Sequence, residues 1–199
     1  MSEPNLTTWP DLFVVKQFLT LVACRDLVAE LSVVQADAAT VYGRASSGLV
    51  DQSVRQTLRL RPSDSTRERI IQRLLDHKTA LEQHFNLALG ECEEPQFLRY
   101  REGDFFVAHQ DGNTGLLRLD TESRLVSIVI FLSRESETPQ PDAYCGGALV
   151  FTDLRPATSG GKFRLQAEPG TLVAFRAETT HEVTPVTHGE RYSIVSWFR

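Results

Sequence analysis

The second half of the chain, from Pro95 onward, alternates between short β-prone runs and turn-forming residues. Eight runs are rich in β-branched and aromatic residues, and most of the gaps between them contain glycine or proline. The runs are 96–101, 105–109, 125–132, 148–151, 163–166, 171–175, 182–186 and 191–198. Many short strands bury their apolar faces by forming two sheets that face each other, so we predict a jelly roll, or double-stranded β-helix.

Two helices are predicted before this β-rich half. Thr20 stands at an N-cap position before an apolar series with helical spacing, which predicts a helix over 21–35. Ser65, with Glu68 three residues later, forms a capping-box pattern, and the apolar spacing after it predicts one long helix over 65–88.

The rest of the amino-terminal half is expected to contribute strands. Residues 11–18 open with Leu-Phe-Val-Val, which indicates an edge strand, and residues 38–60 indicate strands around a turn at 46–48. The predicted fold class is therefore mainly β with flanking helices (α+β), with the helices packed on one sheet. A chain of 199 residues fits one domain. We expect strands and support helices in 1–94 and the jelly roll in 95–199.

Composition excludes some classes of partner. The net charge of -5 at pH 7 provides no general attraction to phosphate backbones, so a nucleic-acid partner is not indicated. Arginines cluster between 55 and 78, but acidic residues interrupt them, and we interpret the segment as a solvated face with mixed ion pairs. No apolar run has the length needed to cross a bilayer, so no membrane association is expected.

The cysteines indicate a reducing environment. Cys24, Cys92 and Cys145 are odd in number and widely spaced, which favours neither a disulfide framework nor a structural zinc site. The first residues lack the basic and apolar regions of a signal peptide. We therefore expect a cytoplasmic protein.

The segment His109-Gln110-Asp111 is a candidate metal site. Side chains two residues apart on a strand point to the same face, so His109 and Asp111 can both face the mouth of a barrel. A His-x-Asp pair with a distant histidine, here His181, is the ligand set that holds non-haem Fe(II) and leaves coordination positions open.

The other histidines are weaker candidates for this role. His188 precedes Gly189 in a predicted turn, where side chains are usually solvated, and we favour His181 over it. His77 and His84 lie in the predicted long helix without an acidic or cysteine neighbour one turn away. We assign them to packing or to the surface.

Arg191 follows His181 by ten residues and could hold an anionic co-substrate. The turn at Gly189 predicts that His181 and Arg191 lie on neighbouring antiparallel strands, which would place a cation beside the metal. The guanidinium presents a planar fork to a carboxylate and keeps its charge. Ser193, Val195 and Trp197 share the Arg191 face of the strand, which we predict to point inward.

These motifs together resemble the prolyl 4-hydroxylase-like branch of the Fe(II)/2-oxoglutarate-dependent dioxygenases. The resemblance extends from Phe97 to Trp197 with its motifs in the expected order and spacing. It is carried by Leu98–Asp111, Arg124–Leu132, Gly146–Phe151, Pro169–Gly170, His181 and Arg191. It implies Fe(II) as cofactor, 2-oxoglutarate and O2 as co-substrates, and ascorbate as a reductant.

The resemblance also implies roles for individual residues. By this resemblance, the iron ligands are His109, Asp111 and His181, and Arg191 binds the distal carboxylate of 2-oxoglutarate.

Three further residues match positions around the co-substrate. The hydroxyl of Tyr100 would assist Arg191, Ser127 would lie in the co-substrate pocket, and Trp197 would form an aromatic wall. Each could instead be part of the barrel core. Ser127 and Phe131 stand where threonine and tyrosine are commoner in the family.

The reaction implied by the resemblance is hydroxylation of an unactivated C–H bond. Halogenating relatives replace the carboxylate at Asp111 with a small residue, and nucleic-acid demethylases carry a second arginine where this chain has Trp197. We expect a protein or peptide substrate, with a prolyl or other side chain as the target. A free amino acid or small metabolite, and a non-catalytic iron- or oxygen-responsive module, remain alternatives. The hydroxylated residue and the oligomeric state stay open.

Overall fold

The computed structural model describes residues 10–39, 53–112, 124–152, 154 and 161–199. Three helices occur within these ranges: α1 (Leu21–Val33), α2 (Asp64–Leu75) and α3 (Lys78–Phe85). The Thr20 hydroxyl accepts a hydrogen bond from the Ala23 backbone over 3.1 Å, so the predicted N-cap of α1 is confirmed. Within the same ranges, no helix combines the length and the apolar character that spanning a bilayer requires.

The prediction of one long helix over 65–88 is wrong, because the chain breaks between α2 and α3. In a continuous helix the His77 N–H would bond to the Arg73 carbonyl, but it bonds to Leu74 instead. The His77 ring nitrogen Nδ1 lies 2.8 Å from the Arg73 oxygen and takes that position. Its ring packs edge-on against Phe18 at 5.2 Å, so a tertiary contact stabilises the break.

The start of α2 also differs from the prediction. Ser63 rather than Ser65 is the N-cap, and its hydroxyl accepts from the Thr66 backbone over 3.3 Å. Glu30 of α1 accepts from the Ser63 backbone N–H and from the Thr66 hydroxyl, each over 2.8 Å. Hydrogen bonds from Ser63 and Thr66 to Glu30 of α1 therefore stabilise the start of α2 at Ser63 rather than at Ser65.

The described residues form fifteen strands. They are β1 (Leu12–Val15), β2 (Ala36–Ala38), β3 (Arg55–Gln56), β4 (Leu58–Leu60), β5 (Gln96–Tyr100), β6 (Phe105–His109), β7 (Val126–Phe131), β8 (Arg134–Glu135), β9 (Ala143–Gly146), β10 (Leu149–Thr152), β11 (Lys162–Leu165), β12 (Leu172–Arg176), β13 (His181–Val183), β14 (Val186–His188) and β15 (Arg191–Phe198). The turn predicted at 46–48 lies outside the described residues.

Two sheets face each other, as the predicted jelly roll requires. In the described parts of the chain, the larger sheet has the order β1-β12-β7-β15-β5-β4-β2, and the smaller has the order β11-β10-β13-β6-β3. A three-stranded sheet, β14-β9-β8, lies beside them. The predicted fold class, a mainly β jelly roll with flanking helices, is confirmed.

The helices cover the outer face of the larger sheet. Apolar side chains from α1, α2 and α3 form one buried cluster with outward-facing residues of β7, β12 and β15. That cluster includes Leu27, Leu31, Ile70, Leu74, Leu81, Ile128, Ile130, Ala174 and Ile194. A second cluster fills the space between the two sheets and includes Leu98, Tyr100, Val129, Phe131, Leu149, Phe151 and Val183. The larger sheet therefore packs on a core at each of its faces, and the two sheets share the core between them.

The segment between His181 and Arg191 corrects one predicted relationship. The predicted strand over 182–186 is divided at Pro185 into β13 and β14, because proline has no N–H to continue a ladder. β13 belongs to the smaller sheet, β14 pairs with β9, and β15 lies in the larger sheet. His181 and Arg191 are thus on opposite sheets, and the prediction of neighbouring antiparallel strands is wrong.

The segment 133–146 contains more regular structure than its sequence indicates. β8 and β9 lie within it and pair in parallel, and the Ser136 N–H bonds to the Tyr144 carbonyl over 2.8 Å. Gly146 has a φ of +71°, and a Cβ there would lie 2.3 Å from the Pro185 oxygen. The close packing of β9 against the 185–187 segment therefore requires glycine.

Candidate metal centre

The structure brings the three predicted ligands together. His109 ends β6, Asp111 lies in the following turn, and His181 begins β13, directly opposite His109 in the ladder. Their ligand atoms all lie within 4.8 Å of one another. His109 Nε2 is 3.5 Å from Asp111 Oδ1, and His181 Nε2 is 3.4 Å from Asp111 Oδ2.

Each of the two histidine rings is oriented by a contact with the backbone carbonyl two residues earlier in the chain. His109 Nδ1 lies 2.8 Å from the Val107 carbonyl, and His181 Nδ1 lies 2.9 Å from the Thr179 carbonyl. A carbonyl can only accept, so each Nδ1 donates to it, and in a neutral ring of this tautomer the lone pair lies on Nε2, the nitrogen nearest Asp111. This tautomer is the one that metal-binding histidines adopt when a carbonyl orients the ring.

An irregularity in β6 determines where His109 points. Between Phe106 and His109 the ladder with β13 shifts register, because two residues of β6 lie opposite one residue of β13. The shift places Phe106 on the His109 side, where the rings stack with centroids 3.5 Å apart. Phe175 packs edge-on against His181 at 4.7 Å. Aromatic side chains therefore restrict both imidazole rings.

Asp111 is held by its backbone and by its side chain. The N–H groups of Asp111 and Gly112 both donate to the Ala177 carbonyl, over 2.9 and 3.0 Å. The Ser127 hydroxyl donates to Asp111 Oδ2 over 2.8 Å. A Cβ at Gly112 would lie 2.5 Å from the Arg124 oxygen, so only glycine permits this approach.

The protonation states at neutral pH suit metal binding. Burial alone would raise the pKa of Asp111, but the charge of His181 and the hydrogen bond and charge of His109 hold it well below its usual range. Burial, with the nearby charge of His109, lowers the pKa of His181 to about 4. Asp111 is therefore a carboxylate and His181 a neutral imidazole, which are the forms that bind metal.

Arg191 is buried between the sheets, and the part of the chain that the structure describes gives it no charged partner. Its side chain is 1% exposed, and its Nη1 donates to Ser193 over 2.9 Å. The rings of Tyr100 and Phe131 lie 5.2 and 5.4 Å from the guanidinium carbon. Its Nε has no hydrogen-bond partner, and among the described residues no carboxylate forms an ion pair with it. A buried unpaired charge is costly, so this position fits an anionic ligand.

Trp197 lies at the opposite end of β15 from Arg191 and affects the carboxylate of the proposed metal site. The Trp197 side chain helps to lower the pKa of Asp111, but its indole nitrogen Nε1 is buried and has no hydrogen-bond partner among the described residues. The Arg124 guanidinium covers the indole ring at 3.8 Å and forms two hydrogen bonds with Glu93, at 2.8 and 2.6 Å. The ion pair between Arg124 and Glu93 therefore holds a cation against the Trp197 ring and restricts the movement of that ring.

The remaining histidines pack against aromatic rings or lie at the surface. His84 contacts Phe13 and Phe85 edge-on at 5.4 and 4.7 Å, in agreement with the predicted packing role. His188 is 3.6 Å from Glu102 and does not belong to the metal cluster.

The structure refines three predictions and adds one residue. The Ser127 hydroxyl forms a hydrogen bond with Asp111, and Tyr100 presents its ring face to Arg191. The side chains on the inward face of β15 are those predicted: Arg191, Ser193, Val195 and Trp197. Tyr144, which was not predicted, borders Gly147 together with Arg191, because a Cβ at Gly147 would lie 3.3 Å from Tyr144 Cε2 and 3.0 Å from Arg191 Cδ. The adjoining Gly146-Gly147 was the one signal in the sequence that could have indicated close packing there.

Comparison with known proteins agrees with this architecture. The family model described as the 2OG-Fe(II) oxygenase superfamily matches residues 95–199. A PKHD-type hydroxylase of Klebsiella pneumoniae is 31% identical over 181 residues, which cover 87% of this chain and 73% of that relative. A PKHD-type hydroxylase of Burkholderia thailandensis is 37% identical over 108 residues, covering 53% and 42% of the two chains.

Solved structures show the same fold. A prolyl-4-hydroxylase of Pseudomonas putida superimposes with a TM-score of 0.71 at 24% identity, over 98% of this chain and 95% of that one. A prolyl hydroxylase of Trichoplax adhaerens, in complex with a peptide fragment of the hypoxia inducible factor oxygen degradation domain, superimposes with a TM-score of 0.65 at 17% identity. That match covers 97% of this chain and 84% of the other.

A jelly roll that presents two histidines and one carboxylate from its smaller sheet has the architecture of a non-haem iron oxygenase. The chain belongs to the 2OG-Fe(II) oxygenase superfamily. It is a 2-oxoglutarate-dependent dioxygenase related to hydroxylases, and it uses Fe(II) as cofactor with 2-oxoglutarate and O2 as co-substrates.

Proposed function

We propose that His109, Asp111 and His181 hold the Fe(II) ion, and that Arg191 binds the distal carboxylate of 2-oxoglutarate. The observation that carries this proposal is the electrostatic pairing of the two sites. One brings the imidazole nitrogens of two histidines to a carboxylate, and the other is a buried guanidinium that has no counter-ion among the described residues. A divalent cation and a dicarboxylate satisfy both requirements at once.

Each residue has a distinct task in this arrangement. When bound, Fe(II) supplies O2 activation coupled to oxidation of 2-oxoglutarate to succinate and CO2. Asp111 neutralises part of the metal charge, and Ser127 fixes the orientation of its carboxylate. The rings of Tyr100 and Phe131 exclude water around Arg191, which strengthens its attraction for a carboxylate.

Tyr100, Ser127 and Trp197 are proposed to complete the co-substrate pocket. All three side chains are buried and lie on β5, β7 and β15 of the larger sheet. Ascorbate as a reductant remains a prediction from the family resemblance. A single domain over 1–199, with the catalytic jelly roll in 95–199, is part of the same proposal, and so is a cytoplasmic location.

We further propose that the enzyme hydroxylates a side chain in a protein or peptide, with proline as the first candidate. The peptide complex of the Trichoplax adhaerens prolyl hydroxylase and the fold shared with the Pseudomonas putida prolyl-4-hydroxylase support this substrate class. Gln110 and Thr180 are joined by an exposed hydrogen bond of 3.1 Å, and they are sequence neighbours of all three proposed ligands. Exposed polar groups at this edge could contact an extended peptide backbone.

The test combines product analysis with ligand variants. Proline-containing peptides and free amino acids are incubated with the protein, Fe(II) and 2-oxoglutarate, and mass spectrometry detects the gain of one oxygen atom with formation of succinate. His109→Ala and Asp111→Ala should lose turnover while the circular dichroism spectrum is retained. His188→Ala, which changes a half-buried histidine outside the cluster, should remain active.

Three results would contradict parts of the proposal. Full turnover by His109→Ala or Asp111→Ala would show that these residues are not ligands. Oxygen gained by free amino acids and not by any peptide would overturn the substrate class. Binding of Fe(II) and 2-oxoglutarate without succinate under any condition would favour a non-catalytic module.

A further inference from the structure

His109 is the more exposed of the two histidines in the metal centre. Its side chain is 17% exposed, whereas that of His181 is 6% exposed. It lies at the end of β6, beside the register shift, where the ladder with β13 is irregular. Neither deep burial nor a regular ladder fixes the plane of the His109 ring, so its orientation depends on the side chains that contact it.

The Phe106 ring lies flat against the His109 imidazole. The two rings are 17° from parallel, and their centroids are 3.5 Å apart. The contact between Phe175 and His181 is edge-on, with an angle of 66° between the rings. A stacked ring covers a whole face of its neighbour, so Phe106 restricts the tilt of the imidazole and with it the direction of Nε2.

Arg55 covers the other face of Phe106. Its guanidinium carbon lies 4.8 Å from the centroid of the ring, within the range of a cation–π contact. The imidazole at 3.5 Å leaves no space for a guanidinium on the same face, so the two groups lie on opposite faces. Phe106 is therefore held between a cation and the proposed ligand His109.

The strand β3 brings Arg55 to this position. Arg55 is directly opposite Phe106 in the ladder between β3 and β6, and the Val107 N–H donates to the Val54 carbonyl over 3.0 Å. Side chains of such directly opposed residues contact each other. Arg55 is 7% exposed, so its contact with the ring is shielded from water, which makes a cation–π interaction stronger.

We propose that Arg55 and Phe106 are positioning residues of the metal centre. The guanidinium holds the Phe106 ring, and the ring holds His109 with its Nε2 directed toward Asp111, 3.5 Å from Oδ1. The ligand is then oriented before the metal binds, so less freedom is lost on binding. This inference rests on the ligand set of the proposed function, and neither positioning residue is itself a ligand.

The experiment measures metal affinity and the absorption spectrum of the bound ion, without turnover. The protein is titrated with Co(II), whose visible absorption reports the coordination geometry. Phe106→Leu should raise the dissociation constant about 10-fold, the effect of losing a group that orients a ligand, and should change the spectrum. Arg55→Met should raise it several-fold. Phe106→Tyr keeps the ring and Arg55→Lys keeps the cation, so both should recover most of the affinity.

A double variant tests whether Arg55 acts through Phe106. When Phe106→Leu is already present, Arg55→Met should have no further effect on the dissociation constant for Co(II), because the ring that the cation contacts is gone. Coupling of this kind is the expected result for residues in contact, whereas independent residues give additive losses.

Two matched controls come from similar contacts elsewhere in the fold. Phe13 packs edge-on against His84, and the Arg73 guanidinium lies 5.1 Å from the Phe18 centroid, in both cases outside the ligand cluster. Phe13→Leu and Arg73→Met should lower the Tm and leave both the affinity for Co(II) and its spectrum unchanged.

The outcomes separate this inference from the proposed function. Wild-type affinity in Phe106→Leu or in Arg55→Met, or additive losses in the double variant, would overturn the positioning role. A loss in Phe106→Leu that Phe13→Leu matches, with an unchanged spectrum, would assign the ring to packing and also overturn it. If His109→Ala loses Co(II) and Phe106→Leu does not, the ligand set stands alone. If His109→Ala binds Co(II) as the wild type does, both proposals fail.

Discussion

The Ser127 hydroxyl donates a hydrogen bond to Asp111 Oδ2 over 2.8 Å and joins the larger sheet to the turn that carries the carboxylate. Ser127 lies on β7, whereas Asp111 follows β6 of the smaller sheet. The bond therefore crosses the space between the two sheets. The orientation of a proposed iron ligand depends on how the sheets are packed together.

Replacing this serine tests that dependence. Ser127→Ala should weaken Fe(II) binding about 10-fold, because a ligand loses the hydrogen bond that orients it. Anaerobic titration with Fe(II) measures the dissociation constant. Ser196→Ala is the control, since Ser196 is equally buried but donates to the Glu93 carbonyl. A wild-type Fe(II) affinity in Ser127→Ala would show that the backbone contacts of Asp111 suffice.

Two glycine-to-alanine variants can distinguish the effect of crowding beside Arg191 from the effect of backbone strain at positive φ. Gly147→Ala and Gly103→Ala both place alanine at positive φ, +56° and +88°, and each should lose about 1 kcal/mol of unfolding free energy. A Cβ at Gly103 has nothing within 4 Å, whereas one at Gly147 meets Arg191 Cδ at 3.0 Å.

Only Gly147→Ala should therefore raise the dissociation constant for 2-oxoglutarate, by several-fold. Chemical denaturation gives the stability change, and ligand titration gives the affinity. Equal affinities in the two variants would show that Arg191 can shift without loss of binding.

The contact between α1 and α2 should make stability depend on pH. Glu30 is partly buried, which would raise its pKa, but the hydrogen bonds from Ser63 and Thr66 lower the pKa below its ordinary value of 4.5. A carboxyl with a lowered folded pKa contributes stability above its unfolded pKa, and that stability is lost as the pH falls through the folded value. Glu30 should therefore stabilise the fold at neutral pH and not in strong acid.

Glu30→Gln should lose about 1 kcal/mol of unfolding free energy at pH 7, because the hydrogen bonds lose their charged acceptor. The difference from the wild type should shrink below about pH 4.5. Glu68→Gln removes an exposed acid of α2 and is the control for net charge. Urea denaturation at several pH values measures both variants, and a pH-independent loss in Glu30→Gln would contradict the assignment.

The thiol of Cys24 should be inert in the native protein. It is 1% exposed, and burial raises its pKa to about 11, so little thiolate forms at pH 8. Iodoacetamide should therefore label Cys24 only after denaturation in urea, where the other free cysteines, Cys92 and Cys145, also react. Peptide mass spectrometry after a timed pulse gives the rate at each thiol, and rapid native labelling of Cys24 would show that α1 opens readily.

Much of the fold and of the site could be predicted from local patterns. The Thr20 cap, most of the strands after Pro95 and the inward face of β15 follow from turn chemistry and from the periodicity of apolar residues. These signals act over a few residues and are visible in the sequence. The helix break at His77 was missed because its cause is a contact with Phe18, 59 positions earlier by their residue numbers.

The sequence alone was enough to predict the three proposed iron ligands and Arg191, because their spacing and chemical types already indicated a metal and an anion. The tertiary structure decided how they meet. It placed His181 and Arg191 on opposite sheets, turned His109 through a shift in strand register, bonded Ser127 to Asp111 and brought Tyr144 and Arg191 to the same glycine, Gly147. Such relationships depend on strand register and burial between residues far apart in the chain, and no local pattern contains them.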